Sequence, residues 1–181
     1  MVTKNTQNLG LNYLNSSPKN IKQNLTLIKQ RIHDQAIQNQ QSILRENKKL
    51  EFYNYILNFN VRPPYVDICK YKADRSKICK YRISAHSLAI ERGRYKNIPQ
   101  NHRTCTKCTT SQIENEEHFF IYCPTYTSYR QELITKINIT SITINKLRHI
   151  LNSSSLILLK ALIEYIDKCE SIKNITVTPE D

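Results

Sequence analysis

The chain has 181 residues, with 27 lysines and arginines against 15 acidic residues, a formal net charge of +12 and a pI near 9.5. That length suits one main folded unit and excludes two large domains, while the charge favours a polyanionic partner, nucleic acid first, because cations that neutralise phosphates release counterions. The polar start Met1–Gly10 and a longest apolar run of only 12 residues, Ser155–Ile166, show neither a secretory signal nor a membrane anchor, so an intracellular setting, nucleus or cytoplasm, is expected.

With two glycines and no valine-rich alternation, the sequence predicts a mainly α fold built as a small helical unit. Residues 1–17 are expected to be disordered. Ser17-Pro18 reads as a helix start, followed at helical spacing by Ile21, Leu25, Ile28, Ile32 and Ala36, which makes 18–48 a long polar helix or arm. Residues 49–137 form the expected helical unit. Its first helix, Lys49–Phe59, is stopped by Pro63-Pro64. From Arg75 to Arg92 one helix is predicted with two apolar stripes, Ile78, Tyr81, Ala85, Leu88 and Ala89, then Cys79, Ile83, His86 and Ile90, with Gly93 supplying its end. Further helices are expected near Thr125–Lys136, Asn145–Leu151 and Ser154–Cys169, the last two forming C-terminal helices over 138–172, before a disordered tail at 173–181.

Charge is uneven along this plan. Residues 1–60 carry 8 basic and 3 acidic groups, residues 61–110 carry 12 and 3, and residues 111–181 carry 7 and 9. The basic footprint lies in the middle. Arg75, Lys77, Lys80, Arg82, Arg92, Arg94, Lys96, Arg103 and Lys107 are the candidate phosphate-facing set, with Tyr95 or His102 able to stack on an unpaired base. Arg82 is a candidate for pairing inside the fold.

The segment with chemistry is C-x2-C-x9-H-x4-C at 105–123. Cys105 and Cys108 suit a tight turn that presents two sulfurs to one ion; His118 and Cys123 complete a tetrahedral set and leave no position for substrate, so the expected cofactor is one structural Zn²⁺. Without a secretory signal, clustered cysteines bind metal more often than they form disulfides. His118 and Cys123 lie ~140° apart on an ideal α-helix. Pro124 resolves this, because the residue before a proline leaves helical geometry and Cys123 can turn back to the ion. Phe119, Phe120, Tyr122 and Tyr126 would roof the site. His102 is a rival fourth ligand. Cys69, Cys79 and Cys169 read as core residues, His86 as a satisfied core histidine, and Glu114, Glu116 and Glu117 as a solvated acidic turn offering His118 a partner.

The order Lys49-Leu-Glu-Phe-Tyr, Arg82-Ile-Ser-Ala-His-Ser-Leu-Ala-Ile-Glu-Arg-Gly-Arg-Tyr95, Cys105-Thr-Lys-Cys108 and Glu116-Glu-His-Phe-Phe-Ile-Tyr-Cys-Pro-Thr-Tyr126 resembles the zinc-binding region that follows the reverse transcriptase in LINE-like non-LTR retrotransposon polyproteins. The resemblance runs from about Gln41 to Leu133. It implies Cys105, Cys108, His118 and Cys123 as CCHC ligands, and a role in engaging RNA or target DNA. The retroviral nucleocapsid knuckle is different: it has four residues between its second cysteine and the histidine, against nine here.

The chain lacks the Tyr-x-Asp-Asp pair a reverse transcriptase uses to hold Mg²⁺; its aspartates, Asp34, Asp67, Asp74, Asp167 and Asp181, are all separate. No endonuclease set, glycine-rich phosphate loop, nucleophile elbow or His-Glu-x-x-His motif is present. The expectation is a non-enzymatic nucleic-acid-binding module. The alternative is a protein-interaction module that braced a reverse transcriptase domain, or an inert remnant.

Overall fold

A computed structural model of the protein describes residues 21–57 and 61–175. The chain divides into two compact units, residues 1–48 and 49–181. Described residues of the first form one helix, α1, Ile21–Glu46, 26 residues without glycine or proline. Leu25, Leu27, Ile32 and Ile43 on it are exposed. The expected Ser17-Pro18 start and disordered N-terminus lie outside the described residues, as does the tail from 176 onward.

The second unit is helical, as its composition implies. After a 3₁₀ turn, Lys48–Leu50, come α2 (Glu51–Ile56), α3 (Tyr65–Ile68), α4 (Lys72–Arg82) and α5 (Ala89–Tyr95), then α6 (Thr127–Lys136), α7 (Ile144–Leu151) and α8 (Leu156–Ile175). The one strand-like feature among the described residues is an isolated antiparallel bridge between Thr104 and Ile113. The helix expected over Lys49–Phe59 ends at Ile56, with Leu57 extended, before Pro63-Pro64 is reached, and Pro64 opens α3: the Ile68 amide bonds the Pro64 carbonyl at 3.0 Å.

α8 is the central element. It contacts α3, α4, α6 and α7, and buries Leu159, Leu162, Tyr165, Ile166 and Cys169. The apolar run Ser155–Ile166 thus serves a protein core. Each such fully buried Leu or Ile side chain contributes roughly 1.5–3 kcal/mol. Among the described residues no helix is long and apolar enough to cross a membrane. Ile56, Tyr65, Ile78, Tyr81, Phe119, Phe120, Leu133, Leu147 and Leu151 share the same cluster. The C-terminal helices and the segment before residue 138 therefore have one common core.

The expected helix Arg75–Arg92 is two helices. α4 ends at Arg82 in a Schellman closure: the Ala85 amide bonds the Lys80 carbonyl at 2.8 Å and Ser84 takes the left-handed conformation, φ 51°. The chain then turns through His86 to start α5 at Ala89. Gly93 is consequently inside α5, not at its end. An added Cβ there would sit 2.5 Å from Arg103 Cγ, so the absent side chain is what lets Arg103 pack against the helix. α5 is closed by Asn97, φ 54°, with the Ile98 amide on the Gly93 carbonyl at 2.8 Å.

Candidate metal centre

Cys105, Cys108, His118 and Cys123 converge: their four ligand atoms lie within 4.8 Å of one another. Cys105 Sγ is 4.0 Å from Cys123 Sγ, and Cys108 Sγ is 3.5 Å from His118 Nε2. The group could hold a metal ion. Cys105, His118 and Cys123 are buried and Cys108 half-buried, so the opening is on the Cys108 side. His102, the rival ligand, is exposed on the turn Gln100–His102 and outside the group.

Two local structures carry the ligands. The first is a loop pinned at its base by the Cys105 amide on the Gln112 carbonyl, 2.8 Å, and the Glu114 amide on the Arg103 carbonyl, 3.0 Å. The second is a π-helical turn, His118–Tyr122, in which the Cys123 amide bonds the His118 carbonyl at 2.7 Å. An i→i+5 bond widens the turn, and such bulges recur at functional sites. Cys123 itself is extended, φ −60° and ψ 118°, as the following Pro124 demands. The five-residue spacing is therefore accommodated twice, by a wide turn and by an extended residue. The Asn115 side chain starts the turn by accepting the His118 amide at 2.8 Å.

His118 has a partner that spacing did not indicate. Gln112 Oε1 lies 3.0 Å from His118 Nδ1; an amide oxygen only accepts, so Nδ1 carries the proton and Nε2 offers its lone pair to the cysteines. Burial lowers the His118 pKa, which disfavours the charged ring. Burial also pushes Cys105 up to about 12 and raises Cys123. Burial acts upward on Cys108 too, but hydrogen bonds from Thr110 and the neighbouring sulfurs outweigh it and hold that thiol below its usual value. A coordinated cation deprotonates its thiol ligands, so a metal ion held by these residues would be taken up with release of protons.

Around the site two expectations are corrected. Phe119, Phe120 and Tyr126 are fully buried and join it to the core, with Phe119 and Phe120 edge to face at 4.9 Å, but Tyr122 is 57% exposed and roofs nothing. Glu114 and Glu116 are buried, not a solvated turn. Glu116 accepts the Ser84 hydroxyl and lies 2.9 Å from His86 Nε2; His86 Nδ1 accepts the Leu88 amide, so Nε2 is the donor. Burial raises the Glu116 pKa, yet these bonds outweigh it and leave the carboxyl below its usual value. Glu114 accepts the Ala89 amide at 2.6 Å, which fixes the start of α5. Both acids fasten the α4–α5 break to the metal-site segment. His86 is a bonded buried histidine, Cys69 and Cys169 are buried, and Cys79 is half-buried.

The nine basic candidates divide. Arg82 is 1% exposed and donates to the Leu151 carbonyl at 2.7 Å and Asn152 Oδ1 at 3.2 Å, so it does not face a phosphate. Arg103 donates to the Ile98 and Ile90 carbonyls, and Arg75 to those of Cys69 and Lys70. These three serve the fold. Arg94 pairs with Glu91 at 2.5 Å, Lys77 with Asp167, and Arg92 approaches Glu114 only to 4.0 Å. Lys80, Arg92 and Lys96 are exposed and Lys107 half-buried. Arg130, a structural cation outside this set, donates to the Phe120 and Cys123 carbonyls at 3.0 and 2.7 Å.

No family model, curated protein or solved structure matches the chain significantly.

Proposed function

We propose that the chain is a non-enzymatic nucleic-acid-binding module held together by one structural Zn²⁺, of the kind that follows the reverse transcriptase in LINE-like retrotransposon proteins. The convergence of three sulfurs and one imidazole nitrogen within 4.8 Å carries the reading. A zinc tetrahedron with Zn–S near 2.3 Å and Zn–N near 2.0–2.1 Å has edges of about 3.8 Å between sulfurs and about 3.6 Å from sulfur to nitrogen. Two of the six separations, 4.0 and 3.5 Å, are close to those edges, and all lie within 4.8 Å. Four protein ligands leave no coordination position for substrate, which favours a structural ion. When bound, the ion would cross-link the loop at Cys105–Cys108 to the turn at His118–Cys123.

Charge supports the partner: +12 overall, with Lys80, Arg92 and Lys96 in solvent. The test is metal content per chain for wild type, Cys108→Ser and His118→Ala, with helicity after chelation and nucleic-acid affinity across a salt series. One zinc per chain, lost together with helicity in both variants, and affinity falling steeply with salt, is the expected result. A well-folded wild type free of metal overturns the zinc reading; affinity indifferent to salt overturns the electrostatic one. The exposed Leu25, Leu27, Ile32 and Ile43 of α1 favour a second reading, docking on a protein partner such as a polymerase domain. Self-association with negligible nucleic-acid affinity would select it.

A further inference from the structure

We infer that Tyr71 and Tyr95 are base-stacking platforms and that the nucleic acid bound is single-stranded, an inference that rests on the nucleic-acid reading above. Among the described tyrosines these two are the most exposed, at 70% and 77%. Each stands between two cations in sequence, Lys70-Tyr71-Lys72 and Arg94-Tyr95-Lys96, and of these Lys70, Lys72 and Lys96 are exposed. An aromatic ring in solvent between cationic residues has the two parts a single strand needs, a π face for an unpaired base and charges for the flanking phosphates.

Both backbones are pinned although both rings are largely in solvent. Beside Tyr71, the Arg75 guanidinium donates to the Cys69 carbonyl at 2.6 Å and the Lys70 carbonyl at 2.8 Å, the Arg75 amide bonds the Tyr71 carbonyl at 3.2 Å, and Cys69 is itself buried. Arg75 thus acts on this surface by shaping the loop. Tyr95 ends α5, where the Asn97 closure fixes the chain, and the Lys49 ammonium stands 6.0 Å from its ring centroid. Lys49 is in turn held by Glu91 at 2.8 Å. The other exposed tyrosines differ: Tyr55 is only 37% exposed and its hydroxyl is held by Asn145, and Tyr122 lies between Ile121 and Cys123 with no flanking cation. Asp74, in the first turn of α4, is the acidic group that tempers the charge beside Tyr71.

In a duplex the base faces are already stacked on one another, so a tyrosine platform discriminates for single strands of either sugar. The experiment measures the affinity of the zinc-loaded full chain for an oligonucleotide of about 20 nucleotides, as single-stranded RNA, single-stranded DNA and duplex, at one fixed salt concentration. Tyr71→Ala and Tyr95→Ala are each expected to weaken single-strand binding about fivefold or more, and Tyr71→Phe and Tyr95→Phe to stay within about twofold of wild type, since a phenyl ring stacks without the hydroxyl. Duplex affinity should move less than single-strand affinity. Alanine variants that bind single strands like wild type, while Lys70→Gln and Lys96→Gln weaken them, would overturn the stacking inference and leave the electrostatic reading standing. Failure of wild type to bind any of the three would remove both.

Discussion

The Tyr165 hydroxyl donates a buried 2.7 Å hydrogen bond to the Phe119 carbonyl, 46 residues away, tying α8 to the turn that bears His118. The reason lies in the backbone. The Cys123 amide, the α-helical partner of Phe119, is diverted to His118 by the π turn, and the next amide position is Pro124, which has none. Tyr165→Phe deletes the donor and leaves a buried carbonyl, a loss of roughly 1–3 kcal/mol. Because that carbonyl is next to a proposed ligand, zinc affinity should fall with stability. Urea midpoints and a competitive chelator titration check both; a midpoint equal to wild type would show that the bond contributes nothing.

Gly93 and Arg103 form a second test. Alanine is ordinarily a better helix former than glycine by about 1 kcal/mol, so Gly93→Ala in isolation should stabilise α5. Here its Cβ would meet Arg103 Cγ at 2.5 Å and Cδ at 2.8 Å, next to a guanidinium fixed on two carbonyls. Overpacking of this kind costs about 1–3 kcal/mol, so the net sign is expected to be destabilising. With Arg103→Ala also present the clash is gone, and the double variant should lose less than the sum of the singles. A higher urea midpoint for Gly93→Ala alone would contradict this packing.

The same positions explain what the sequence did and did not reveal. The convergence of Cys105, Cys108, His118 and Cys123 was legible because residues that could share a metal ion obey spacing, and Pro124 signalled the bend at Cys123. The end of α4 was not, because glycine was the expected stop signal and the chain has only two. Three of its helices, α4, α5 and α6, close instead on Ser84, Asn97 and Asn138, all at positive φ. Gln112 and the partners of Glu116 were hidden for another reason. Ser84 and His86 are 32 and 30 residues from Glu116, and no local periodicity reports a contact across a folded loop. Three carboxylates in four residues read as solvent-facing until a buried hydroxyl and imidazole are seen against one of them.

Those closures give substitutions of opposite sign. Asn138 is exposed at φ 55°, with the Ile139 amide on the Ile134 carbonyl behind it, so Asn138→Gly relieves left-handed strain and is expected to stabilise by about 0.5 kcal/mol. Ser84→Gly relieves the same strain but removes the hydroxyl from a buried carboxylate, and a net loss of about 1 kcal/mol is expected. Thermal midpoints decide. If both variants rise together, the Ser84–Glu116 bond carries no stability.

Structural cations should separate from interface cations when stability and binding are measured on the same variants. Arg82 is enclosed by the Leu151 carbonyl, the Asn152 side chain and the Tyr65 ring, 5.4 Å from its centroid, and Asn152 reaches on to the Ile56 carbonyl at 2.8 Å. Arg82→Met keeps the bulk and deletes the donors, leaving buried acceptors that cost roughly 1–3 kcal/mol each. Lys96, exposed after Tyr95, touches no such network, and Lys96→Gln should stay within about 0.5 kcal/mol of wild type. For nucleic acid the order reverses. Lys96→Gln should lower the slope of log affinity against log salt by about one, while Arg82→Met, measured below its unfolding midpoint, leaves the slope unchanged. A lowered slope for Arg82→Met with intact fold would place that guanidinium on the phosphate-facing surface after all, and an unchanged slope for Lys96→Gln would move the interface away from the end of α5.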